Sequence, residues 1–249
     1  KHIPNVDMDS IYTGNGVSEL INLCMQALLD TGDEILIPSP DYPLWTACAT
    51  LAGGTPVHYR CDEQADWNPD LADMEAKITP RTKAIVIINQ NNPTGAVYAK
   101  EVLEGIVEIA RKHQLMIFSD EIYDRLVMDD LEHVSIASLG DEIKARTITI
   151  NGMSKAYAMT GWRMGYLCAP AAFADVMCKI HQYTILCAPR QGQVAAEEAL
   201  RQGREDGYAD VVSMRESYNQ RRRLMVKSFR DMGLSCFEPL GAFYVFPRS

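Results

Sequence analysis

Ala84-Ile-Val-Ile-Ile-Asn89 and Leu115-Met-Ile-Phe-Ser-Asp120 are two short, continuously apolar runs, each closing on a polar residue. Between them, across Lys100–His113, the residues Val102, Leu103, Ile106, Val107, Ile109 and Ala110 recur close to a helical period. Runs that are apolar on both faces and alternate with helices belong to a sheet covered on both sides, and such sheets are mainly parallel. Outward from this centre the alternation continues. Residues 34–38 read as a strand after the turn at Gly32-Asp33, Leu44–Leu51 as a helix, and 56–60 as a strand. Residues 146–151 and 165–168 read as further strands. From 171 to about 232 the pattern is largely helical, with breaks near 187–189 and 203–207, and 237–247 reads as strand-like around Gly241. The expected fold class is α/β: a mostly parallel sheet with helices on both faces.

The 249 residues are 47% hydrophobic and 23% charged, enough for one large domain and part of another. Residues 1–208 are expected to form the large domain. Residues 209–249 are expected to form a connecting helix and the start of a small α+β domain. Residue 1 is Lys and the first strong pattern begins almost at once, while the last segment stops as its domain begins. The chain is therefore expected to be a piece of a longer protein.

The net charge of −9, without a lysine/arginine block, argues against nucleic acid or an anionic membrane as partner. Arg221-Arg222-Arg223 falls in a helical pattern and reads as a solvated helix face. No stretch approaches the roughly 18 apolar residues of a spanning helix. The seven cysteines are scattered and never form a CxxC, which reads as buried reduced thiols in a cytoplasmic protein. No histidine pairing has metal-ligand spacing, so no metal site is expected, and His58, His113, His133 and His181 are given no catalytic role.

In an open parallel sheet, ligands bind outside the carboxyl ends of the strands. The polar residues at those ends are 89–92, 119–123 and 151–155, so Asn91-Asn92, Asp120-Glu-x-Tyr123 and Ser154-Lys155 are expected on one rim. Each residue type carries a definite chemistry there. A lysine in a low-dielectric site can act as a nucleophile. A buried Asp can keep a pyridine nitrogen protonated so that the ring serves as an electron sink. A Tyr can hydrogen-bond a phenolic oxygen, and an Arg, here Arg163, can grip a phosphate as a bidentate fork.

Ser154-Lys155-Ala-Tyr-Ala-Met-Thr-Gly161-Trp-Arg163-Met-Gly165 resembles the lysine motif of the class I/II aminotransferases, fold type I pyridoxal-phosphate enzymes. Asn91-Asn92-Pro93-Thr94-Gly95 is similar to their Asn-Pro-Thr-Gly motif and Asp120-Glu-Ile-Tyr123 to their Asp-x-x-Tyr motif, with order and spacing in agreement. The resemblance implies pyridoxal 5'-phosphate as cofactor, with Lys155 as its Schiff-base lysine and proton shuttle, next to Ser154. It implies that Asp120 pairs with the ring nitrogen and that Tyr123 and Asn92 hydrogen-bond the ring oxygen. Arg163 binds the phosphate, together with the amides of Val17 and Ser18 and the Ser18 hydroxyl at a helix N-terminus. Tyr42 matches the aromatic that stacks on the ring, with Trp45 as second candidate. Two positions depart from the family pattern. Gly152 stands where a phosphate-contacting serine is frequent, and Gln90 stands where proline is frequent, a change expected to alter loop stiffness.

The implied reaction moves an amino group between an L-amino acid and a 2-oxo acid. The front half is most similar to bacterial alanine (glutamate–pyruvate) aminotransferases, which favours alanine and glutamate. The back half looks more like aspartate- or aromatic-type relatives. A pyridoxal-phosphate C–S lyase would share the cofactor motifs, as would the aminotransferase-like effector domain of a transcription regulator. Family members are homodimers and grip the substrate carboxylate with an arginine for which this chain shows no candidate. The isolated chain is therefore expected to be inactive. Gly14-x-Gly16 is a half-match to a dinucleotide fingerprint, set aside because it lacks a third glycine and a well-formed strand before it.

Overall fold

The computed structural model describes residues 3–248. Its strands and helices, in chain order, begin with β1 (Ile11–Asn15), α1 (Val17–Leu28), β2 (Glu34–Ser39), α2 (Leu44–Leu51) and β3 (Thr55–Asp62). They continue with β4 (Asn68–Pro69), α3 (Leu71–Ala76), β5 (Thr82–Ile88), α4 (Lys100–His113) and β6 (Met116–Asp120). Then come α5 (Asp141–Lys144), β7 (Thr147–Gly152), β8 (Met164–Cys168), α6 (Ala171–Gln182), α7 (Arg190–Asp206), α8 (Ala209–Asp231), β9 (Ser235–Cys236) and β10 (Pro247–Arg248).

Eight strands form one sheet in the order β1-β8-β7-β6-β5-β2-β3-β4. The block β7-β6-β5-β2-β3 is parallel, and β8, β1 and β4 pair antiparallel with their neighbours. Alternate residues of each central strand feed two separate cores. Ile35, Ile37, Ala84, Val86, Ile88, Phe118, Ile148 and Ile150 pack under α1, α2 and α6. Leu36, Ile85, Ile87 and Ile117 pack under α4 with Leu103, Ile106, Val107 and Ala110. Both faces of these strands are dry, which is why they read as unbroken apolar runs.

Local chemistry sets the helix ends. Asp70 caps α3 by accepting the Ala72 and Asp73 amides at 3.1 and 3.0 Å. Arg111, Lys112 and His113 fill the last turn of α4, where positive charge is favoured, and Gln114 then turns left-handed (φ 54°).

Strand direction explains the rim. β5, β6 and β7 run parallel and end together, with Ile88 paired to Asp120 and Asp120 to Ile150. β8 runs antiparallel to β7, so it starts at this rim, directly after Arg163. β1 runs antiparallel to β8, so it ends at the rim and delivers Gly16 and the start of α1 there.

Four expectations are corrected. First, a five-residue strand, β1, does precede Gly16. It lies at the sheet edge, exposed in part, and carries no continuous apolar run that would mark it in the sequence. Second, α7 runs unbroken through Gly203 and ends only at Gly207 (φ 71°). Third, 237–246 is not a strand. The Leu240 and Gly241 amides donate to Gly95 O at 3.1 and 2.9 Å and the Ala242 amide to Leu126 O at 2.8 Å, docking this segment on the large sheet's rim. A Cβ on Gly241 would stand 2.3 Å from Gln90 Cγ, so glycine is what allows this approach.

Fourth, Arg222 is not solvated. It is buried and donates to Asp129, to Glu238 Oε1 at 2.9 Å, to Asn219 Oδ1 at 2.9 Å and to the Pro239 carbonyl at 3.2 Å. Arg221 and Arg223 flank it on the exposed side. α8 is therefore tied by one buried guanidinium to the loop at Asp129 and to the segment it leads into.

Of the cysteines, Cys24, Cys48, Cys61 and Cys236 are buried, whereas Cys187, on the loop between α6 and α7, is exposed. Among the described residues no helix is long and apolar enough to cross a membrane. No group of three or more His, Cys, Asp or Glu side chains is arranged to hold a metal ion among them.

Candidate active site

A cavity of about 220 Å³ opens at the rim, and all nine residues singled out from the sequence line it. They come from six separate stretches of chain, which only the sheet topology brings together.

The anion end is built by β1, α1 and the turn before β8. Gly16 caps α1 with φ 80° and no side-chain hydrogen bond, leaving the first-turn amides at Val17 and Ser18 beside the cavity. Arg163 lies across this terminus. Its Nη1 donates to the Thr160 carbonyl at 3.1 Å and its Nη2 to the Asn15 carbonyl at 3.4 Å. A Cβ on Gly16 would sit 2.5 Å from Arg163 Nη2, so the guanidinium occupies the space a side chain would need. Behind it, Glu19 Oε2 accepts the Asn15 amide at 2.7 Å and holds the β1–α1 turn in place.

The floor is Asp120 at the end of β6, buried to 3% exposure. Its Oδ1 accepts the Ile122 amide at 3.2 Å and its Oδ2 accepts the Trp45 indole N–H at 3.2 Å. Trp45 is fully buried and packs against Phe118, so it supports the floor from below and is not a ring-stacking wall. Tyr42, one turn earlier in the chain, does line the cavity.

The Asn91-Asn92 pair divides its labour. Asn91 closes the turn, its Oδ1 accepting the Thr94 amide at 3.1 Å and the Thr94 hydroxyl at 2.9 Å, while Asn92 faces the cavity. Lys155 enters from the loop after β7 beside Ser154, with its Nζ 6.0 Å from the Tyr123 ring centre and 5.6 Å from that of Phe243. The Tyr123 hydroxyl is paired at 2.5 Å with that of Tyr244. Burial pushes the Tyr123 phenol well above its ordinary range, and the Tyr244 hydrogen bond adds to the effect.

The two departures from the family pattern have physical causes. A Cβ on Gly152 would meet the Met164 carbonyl at 2.8 Å, so the β7–β8 contact leaves no room for serine. Gln90 is fully buried and makes a 2.9 Å hydrogen bond with His133, whose other nitrogen lies 3.0 Å from Glu121. Gln90 is thus a packed polar side chain beneath Gly241. The remaining described histidines are in structural contacts: His58 with Thr46, His113 with Glu75 and His181 with Tyr12.

Two cavity residues, Thr160 and Tyr244, have no place in the sequence reading, and Trp45, the second candidate for the ring-stacking aromatic, instead holds Asp120. Thr160 lies inside the lysine motif. Tyr244 is 121 residues from Tyr123 and had no local signal at all.

The donor set suits a small, planar, phosphate-bearing ring. It offers an arginine with a helix N-terminus at one end, a carboxylate below, an amine and a phenol at the edge, and an aromatic wall. The chain belongs to the class I and II aminotransferase family, whose model matches residues 3–249. It is 47% identical to the alanine aminotransferase of Mycobacterium bovis over 98% of this chain and 58% of that protein. To the glutamate-pyruvate aminotransferase AlaA of Escherichia coli it is 49% identical, over 98% and 61% respectively. The solved aromatic aminotransferase of Pyrococcus horikoshii superposes with a TM-score of 0.94 at 38% identity, covering 98% of this chain and 65% of that one. The chain thus spans about three-fifths of the length of these relatives. The expected fold, a mostly parallel sheet of the pyridoxal-phosphate transferase type, is the one observed.

Proposed function

We propose that the chain carries the cofactor-binding centre of a pyridoxal-phosphate aminotransferase, which moves an amino group between an L-amino acid and a 2-oxo acid. The observation that carries this reading is the single cavity shared by Lys155, Asp120, Tyr123, Asn92 and Arg163, at the ends of different strands. Arg163 and the Val17 and Ser18 amides hold the phosphate, since a guanidinium and a helix N-terminus both favour a dianion. Asp120 holds a proton on the ring nitrogen, and the Trp45 and Ile122 N–H groups keep its carboxylate in place. Tyr123 and Asn92 donate to the ring oxygen, and Tyr42 covers the ring face. When bound, the cofactor supplies an electron sink for the charge left on the amino acid's α-carbon. Lys155 Nζ would hold the cofactor and is the amine placed to take the proton from that α-carbon.

Alanine and glutamate as amino donors, with a 2-oxo acid acceptor, are supported by the names of the two curated relatives at 47% and 49% identity. A homodimer is the assembly that the resemblance to this family implies.

The protein, expressed from its complete reading frame and mixed with pyridoxal phosphate, is expected to develop visible absorbance. Lys155→Ala should abolish it. Lys100→Ala, at an exposed lysine paired with Glu104, should not. Equal absorbance in both variants would overturn the cofactor assignment.

A further inference from the structure

We propose that Tyr244 is a positioning residue for Tyr123: the Tyr244 hydroxyl donates to the Tyr123 oxygen and commits the Tyr123 proton to the ring oxygen of the bound cofactor. This rests on the pyridoxal-phosphate reading above and extends it to a residue outside the family's cofactor motifs.

The two hydroxyls are 2.5 Å apart, and Tyr244 lines the same cavity as Tyr123 and Lys155. Burial raises the proton affinity of both phenols, so each stays protonated. Two phenolic protons then serve two oxygens. If Tyr123 donates to Tyr244, its only proton is turned away from the cavity. If Tyr244 donates, the Tyr123 proton is free to point at a ligand. An anionic ring oxygen in the cavity selects the second arrangement, and the donated bond polarises Tyr123 into a stronger donor.

The segment carrying Tyr244 is held firmly enough to enforce this. Besides the three amide bonds to Gly95 and Leu126, the Met128 amide donates to the Leu240 carbonyl at 2.8 Å. Phe243 stacks on Tyr218 of α8 at 5.3 Å and meets Tyr123 edge-on at 5.2 Å. Tyr244 meets Tyr123 edge-on at 5.7 Å. The charged and titratable groups facing the pair are Asp120 from β6, Tyr42 from the turn before α2 and Lys155 from the loop after β7.

The consequence is measurable at the nitrogen through which Lys155 holds the cofactor. Charge on the neighbouring ring oxygen helps keep a proton on that nitrogen. Donation from Tyr123 draws on that charge and lowers the nitrogen's proton affinity. Without Tyr244 the donation weakens and the affinity rises.

The test is a spectrophotometric pH titration of the Lys155-dependent visible band in the protein from its complete reading frame. Tyr244→Phe, which keeps the ring contacts, is expected to raise the midpoint by about half to one pH unit, the equivalent of one net hydrogen bond. Tyr244→Leu should give the same shift if the phenylalanine variant folds poorly by circular dichroism. In a Tyr123→Phe background, Tyr244→Phe should add nothing, because the relay has lost its middle member. An unchanged midpoint for Tyr244→Phe, or the same shift with Tyr123 already gone, overturns the relay alone. Absence of any Lys155-dependent band in the unmutated protein overturns the cofactor reading on which it rests.

Discussion

Gly16→Ala separates the two jobs that the β1–α1 turn performs. Gly16 sits at φ 80° and ψ 166°, a region essentially reserved to glycine, in which an alanine costs about 1–3 kcal/mol of folding stability. Its new Cβ would also stand 2.5 Å from Arg163 Nη2, where a carbon and a nitrogen need roughly 3.5 Å of separation. The guanidinium must therefore retreat by about 1 Å, breaking its 3.4 Å bond to the Asn15 carbonyl and losing its aim along the helix N-terminus. Losing one charge-assisted hydrogen bond to a phosphate costs about 1.5–3 kcal/mol, or roughly a 10- to 150-fold loss of affinity. The strain term acts on folding, whereas the displacement acts only on ligands that carry the phosphate. Equilibrium titration should show pyridoxal phosphate weakened by that factor while pyridoxal, lacking the phosphate, changes by less than about threefold. Gly161→Ala is the control, because nothing lies within 4 Å of its Cβ position, and it should leave both affinities unaltered. If Gly16→Ala weakened both ligands equally, the assignment of this turn to the phosphate would be refuted.

Three further outcomes follow from contacts around the site. Trp45→Phe removes the indole donor from Asp120 and part of a fully buried ring, and should lower unfolding stability by about 2–4 kcal/mol in denaturant titration. A loss under about 1 kcal/mol would mean that the indole does not support the floor. Arg222→Ala, which breaks the buried junction of α8 with Asp129 and Glu238, should cost about 2–4 kcal/mol, whereas exposed Arg221→Ala should stay within about 0.5 kcal/mol by the same measurement. Asp129 is pushed down to about 2, first by its Asn219 hydrogen bond and then by Arg223 and Arg222. The folded chain thus holds this proton less tightly than the unfolded one. The stabilisation is complete above about pH 4 and drains away as pH falls towards about 2. Asp129→Asn should be less stable than the parent at neutral pH, with the difference vanishing below about pH 2; a pH-independent difference would contradict the ionic account.

The parts of the fold that were legible beforehand share one property: their burial is determined by their own residues and near neighbours. α2 and α4 were read with their observed bounds because their apolar side chains recur at helical spacing within a single stretch. The central strands were visible because both of their faces are dry. β1 was missed and 237–246 misread for the opposite reason. β1 is an edge strand whose pattern is mixed, and 237–246 takes its hydrogen bonds from Gly95, Leu126 and Met128, far away in the chain. Arg222 was misread as solvated because three adjacent arginines look alike in sequence. On a helix, neighbours about 100° apart face different surroundings, and one of the three faces inward.

The sequence by itself determined the chemistry available at the rim. Lys155, Asp120, Tyr123, Asn92 and Arg163 announced themselves because each sits at a strand end or in a short motif whose spacing is local. Only the tertiary structure decided what holds those groups in place. It put Trp45 under Asp120, Arg163 over Gly16, and Tyr244 against Tyr123, contacts between stretches up to 148 residues apart. The physical reason is that reactivity resides in a side chain's own atoms, whereas its support comes from whichever surfaces the sheet order brings together. Strand direction, with β8 reversed between β1 and β7, is what carried the start of α1 and Arg163 to the same rim as the lysine.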